Sequence, residues 1–66
     1  MISFDPLWKT LIDKKMSKME LREAAGLSKS TFAKLGKNES VTLETIEKIC
    51  IALDCEISDV VSIKKS

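Results

Sequence analysis

"SKMELREAAGLSKSTFAKL", residues 17–35, is the stretch whose reading decides the fold. Ser17 is followed three positions later by Glu20, the capping-box spacing. There each side chain satisfies a first-turn N–H that has no partner within its own helix. Met16 before the cap and Leu21 after it stand at hydrophobic-staple positions. The same arrangement returns as Leu27–Ser28–Phe32 and again as Val41–Thr42–Ile46. Helix starts are therefore predicted near residues 18, 29 and 43. Between the first two lies Gly26, which takes a positive φ at little steric cost. The run after it opens on Ser-Lys-Ser-Thr, an unusual choice for a helix that only builds a core.

Working outward, Asp5-Pro6 marks the start of an earlier helix, because proline fits the first helical position. Leu7, Trp8, Leu11 and Ile12 form its apolar stripe. The helix near 18–25 is expected to bury Leu21, Ala24 and Ala25, and the one near 29–36 Phe32 and Leu35. Gly36 and Asn38 stop the latter. A helix over 43–53 carries Leu43, Ile46, Ile49, Cys50 and Leu53 on one face. A short fifth helix is predicted from Glu56, with Ile57, Val60 and Val61. The ends, "MISF" and "VSIKK", have some strand-like character, with simple fraying as the alternative for either. No alternating run is long enough for a sheet. The fold class is all-α: a compact bundle of four to five short helices in a single domain spanning 1–66.

Composition narrows the function. A chain of 66 residues with 44% apolar and 32% charged side chains is globular in character. At this size a domain buries only about 60% of its unfolded surface. The longest apolar run, "ICIAL" at 49–53, is too short to span a bilayer, and no secretory leader precedes Asp5-Pro6. A cytoplasmic location is expected. Cys50 and Cys55 come without any histidine. They fall short of the four ligands of structural zinc and read as buried, reduced thiols at an awkward separation for a disulfide. With no histidine, phosphate-binding glycine loop or metal-ligand cluster, neither enzyme chemistry nor a cofactor is expected.

The net charge of +1 is unevenly spread. Residues 14–38 hold Lys14, Lys15, Lys18, Arg22, Lys29, Lys34 and Lys37 against Glu20 and Glu23, a net of +5. Residues 1–13 carry −1 and residues 39–66 carry −3. A basic middle with acidic ends is an asymmetry that a polyanion can read.

Two short helices joined by "AGLS" make a helix-turn-helix over about 17–37. At this point the chain resembles the phage repressor and Cro-type (XRE-like) regulators. That family has a polar opening of the first motif helix, Glu-Leu soon after, Gly in the turn, a Ser or Thr cap and an apolar residue four past it. Lys18, Glu20-Leu21, Gly26, Ser28 and Phe32 occupy those places. "VTLETIEKICIALDCEISDVV" is similar to the family's later helices, so the likeness covers nearly the whole chain. It departs at Arg22, where Ala is usual, and at Gly36-Lys37-Asn38, where Glu-x-Gly is usual.

The resemblance implies a sequence-specific regulator of transcription, a repressor by preference, with the helix at about 29–36 in the major groove of double-stranded DNA. Lys29, Ser30, Thr31 and Lys34 are the candidate base contacts, with Thr31 equally placed to help the cap. Ser17, Lys18, Ser28, Lys37 and Asn38 are the candidate phosphate contacts. Ser17, Ser28 and Thr42 are caps first, and Phe32, Leu35 and Trp8 are core rather than stacking platforms. Arg22 is left between a phosphate and a nearby acid. A homodimer reading two half-sites is expected, with Ile51, Val60, Val61 and Ile63 as candidate interface. The rival reading is a protein-interaction module, antitoxin-like or anti-regulator, that turns the basic face to an acidic protein partner.

Overall fold

The computed structural model describes residues 1–65. A two-residue strand β1 (Ile2–Ser3) leads into α1 (Asp5–Asp13), α2 (Lys18–Ala25), α3 (Lys29–Gly36) and α4 (Leu43–Leu53). A 3-10 turn (Ile57–Asp59) and strand β2 (Ser62–Ile63) follow.

The helix starts follow the caps. Ser17, Ser28 and Thr42 all have extended backbone, and their hydroxyls accept from the N–H of Glu20, Thr31 and Thr45 respectively. In α2 the box is complete, with the Ser17 N–H donating to Glu20 Oε1 at 2.9 Å. The helix ends share one device. Lys15, Gly26, Asn38 and Asp54 all have positive φ, between 51° and 66°. After each, the next amide bonds back to a carbonyl five residues earlier: Met16 to Leu11, Leu27 to Arg22, Glu39 to Lys34 and Cys55 to Cys50. These are Schellman-type stops that satisfy carbonyls the helix leaves open. Asn38 thus does the work of the family's glycine.

Leu7, Leu11, Leu21, Leu35, Ile46, Ile49, Leu53, Val60 and Phe4 form the core, with α2 against α4 and α1 against the 3-10 turn. Thr10 ties the latter pair, its hydroxyl donating to the Asp59 carbonyl at 2.7 Å. Phe32 and Trp8 pack against this core while half-buried.

Several expectations are corrected. The fifth helix is a single 3-10 turn, because the left-handed Asp54 and the start of β2 leave too few residues for an α-helical repeat. Of the two readings of the ends, the strand-like one holds: β1 and β2 pair antiparallel, Ile2 with Ile63 and Ser3 with Ser62. The Lys64 N–H extends the ladder to the Met1 carbonyl at 2.7 Å. A Lys64–Asp5 ion pair at 3.2 Å closes it. Ile12 and Leu43 are 74% and 76% exposed, and Ala24 is exposed too. Apolar stripes read from short helices run past the part that faces the core. Val60 is 0% exposed, which removes it from any interface. Cys50 and Cys55 are free and partly buried rather than fully so. The turn at Asp54 returns the Cys55 amide to the Cys50 carbonyl at 3.1 Å, and both thiols stay free as expected. Burial first, then the charge of Cys50, pushes the Cys55 thiol up to about 11, so it stays protonated at neutral pH.

Candidate nucleic-acid interface

Two opposing demands shape α3. Leu35 is fully buried and Phe32 half-buried, which pins one side of the helix. Lys29, Ser30, Ala33, Lys34 and Lys37 are left exposed. The first turn of α3 holds no acidic residue. Among the described residues the recorded ion pair is Lys64–Asp5, so Lys29, Lys34 and Lys37 face outward without a carboxylate partner.

The amino end of α3 is a cluster of hydroxyls. Ser28 Oγ accepts from the Thr31 N–H at 3.2 Å, donates to Thr31 Oγ1 at 3.0 Å and lies 3.3 Å from Ser30 Oγ. Thr31 and the hydroxyl of exposed Ser30 are therefore engaged with the cap, while Lys29 projects from the first turn. Helix N-termini leave backbone N–H groups without partners, and their dipoles favour anions.

Lys18 opens α2, and its ammonium sits over the ring of Trp8 on α1, 4.6 Å from the centroid. Sequence reasoning placed Trp8 in the core and missed this pairing. The two residues share no helical spacing, so no local signal announces it. Among the described residues Arg22 forms no ion pair with an acid. Its Nε donates to the Leu27 carbonyl at 3.3 Å, while the Leu27 amide bonds back to the Arg22 carbonyl at 3.0 Å. This reciprocal pair braces the turn between the two motif helices. Asn38 also has a structural post: its Oδ1 accepts from the Phe4 N–H at 2.9 Å. Its side-chain amide NH₂ is left as a donor at the end of α3.

The fold thus places Lys29, Ser30 and Lys34 on one exposed helix face, with Ser17 and Lys18 at the start of α2 and Lys37 just past α3. Elsewhere the charge reverses. A groove of about 520 Å³ between α1 and the 3-10 turn is lined by Asp13, Asp54, Glu56 and Asp59 with Lys14 as its one cation. No helix among the described residues is long and apolar enough to cross a membrane.

A turn of this form between α2 and α3, with a basic outward face on the second helix, defines a helix-turn-helix DNA-binding domain. The chain belongs to the Cro/C1-type HTH DNA-binding domain family, whose description matches residues 6–66. That family is DNA-binding and non-enzymatic in kind. The chain is similar to an uncharacterized HTH-type transcriptional regulator, YozG, of Bacillus subtilis (strain 168), with 38% identity over 52 residues. That match takes in 76% of this chain and 62% of the relative, so the chain spans under two thirds of that protein's length. It is also similar to the crystal structure of the transcriptional regulator VanUg, Form II, with 56% identity and a TM-score of 0.90. That likeness covers 92% of this chain and 81% of the other.

Proposed function

We propose that residues 1–66 act as one cytoplasmic DNA-binding unit that represses transcription by occupying a specific duplex site as a homodimer. The observation that carries this reading is the exposed, carboxylate-free face of α3, with Lys29, Ser30 and Lys34 projecting from a helix pinned beneath by Leu35. A helix fits the major groove, and its first turn meets base edges. In this reading Lys29 donates to guanine O6 and N7, Ser30 serves as an adaptable hydroxyl, and Lys34 meets the next base or its backbone. Thr31 offers its methyl group while its hydroxyl serves the cap. Ser17, Lys18, Ser28, Lys37 and the free NH₂ of Asn38 hold phosphates, fixing register without reading sequence. Exposed Leu43, Ile57 and Ile63 on an apolar groove of about 290 Å³ support self-association. The competing role, a basic face for an acidic protein partner, is less well supported: interface centres favour aromatic and apolar anchors, and here Lys29 and Ser30 stand.

Selection of bound sequences from a random duplex pool tests the proposal. Recovery of a two-fold symmetric motif with half-sites about one helical turn apart is expected. A pool that stays random after repeated rounds overturns it.

A further inference from the structure

We propose that Trp8 is a positioning residue for DNA binding, its ring holding the Lys18 ammonium at the start of α2 where a phosphate would sit. This rests on the DNA-binding reading above. Lysine is a flexible point charge, and fixing it on contact loses rotamer freedom. Trp8 offers a fixed platform, because it is half-buried and packed against the core. The ammonium lies 4.6 Å from the ring centroid, within the range of cation–π attraction. The ring occupies one side of the ammonium and leaves N–H donors free for an oxygen ligand. Lys18 is the first residue of α2, so the lysine that the ring holds is rooted at the helix end whose amides and dipole attract anions. Among the described residues Lys18 forms no ion pair with a carboxylate, so its charge is available to an outside anion. The part Trp8 plays is thus exerted through Lys18, without touching DNA.

A double-mutant cycle tests this, with affinity for a random-sequence duplex measured at low salt for wild type, Trp8→Leu, Lys18→Ala and the pair. Trp8→Leu keeps apolar bulk and removes the ring. Its expected loss is about two- to fivefold, the cation–π range converted at 1.4 kcal/mol per tenfold. In the Lys18→Ala background the same substitution is expected to change nothing, and Trp8→Phe, which keeps a ring face, is expected to recover most of the loss. Circular-dichroism melts establish that each variant is folded at the titration temperature, and Trp8→Met, which also lacks a ring, takes the place of Trp8→Leu in the cycle if the latter unfolds. Equal losses from the Trp8 substitution in both backgrounds, no loss at all, or an unaffected Lys18→Ala each overturn the inference while the DNA-binding reading stands. Failure of the wild type to bind either this duplex or any selected one overturns the reading beneath it.

Discussion

Glu20 shows how one side chain serves as cap and charge together. The Ser17 backbone N–H, then the Ser17 hydroxyl, holds its carboxyl below the usual carboxylate range. Asp5 is lowered as well, first by its hydrogen bond from Lys64 and then by that residue's charge. A depressed folded-state value means that the stabilisation is present above the ordinary carboxylate value and is lost as pH falls through the lowered one. Thermal melts from neutral to strongly acidic pH are expected to show a smaller acid-side loss in Glu20→Ala than in wild type, and identical slopes would contradict that. The Ser17–Glu20 spacing is visible in the chain because both partners lie in one helical turn. The Lys18–Trp8 and Asn38–Phe4 contacts are not, because which loops fold back on which is settled only by packing.

At the scale of elements, the two glycines make opposite demands. Gly26 stands at φ +66°, and although a Cβ there would meet nothing within 4 Å, the conformation itself is strained for other residues. Gly36 has ordinary helical backbone and open space around its missing Cβ. Gly26→Ala is therefore expected to cost about 1–2 kcal/mol, and Gly36→Ala to gain about 0.5–1 kcal/mol. Chemical denaturation of both variants checks the pair, and equal effects would contradict the assignment of backbone states. The starts of α2, α3 and α4 fall where the three hydroxyl caps put them, since a cap is a local hydrogen bond between near neighbours. The 3-10 form of the last turn and the pairing of the two strand-like ends were not legible. Segments of two or three residues have no period to read, and Ile2 meets Ile63 only after the rest has folded.

At the scale of the molecule, the division of charge visible along the chain becomes a division of surface. Lys18, Lys29, Lys34 and Lys37 lie on the helix-turn-helix without an ion-pair partner among the described residues, and carboxylates line the groove beside α1. Duplex affinity is expected to fall steeply with salt, and Lys18→Ala to reduce the slope of log affinity against log salt by about 1 while weakening all sequences alike. An unchanged slope would remove Lys18 from the phosphate contacts. The apolar groove was not legible, since Phe4, Leu43, Ile57 and Ile63 come from separate segments and Leu43 reads as core by its spacing. Sedimentation at micromolar concentration is expected to show a dimer that Ile63→Glu weakens. Monomer alone, with and without duplex, would exclude this mode of assembly.

The capacity of the first turn of α3 to read bases is tested most directly by titrating wild type and Lys29→Ala against a selected duplex and its single-base-pair variants. The expected result is a loss of about 1–3 kcal/mol on the selected site, with discrimination flattened at one base pair and retained at the others. A uniform loss across selected and unrelated duplexes, or none, would contradict a base-reading role for Lys29.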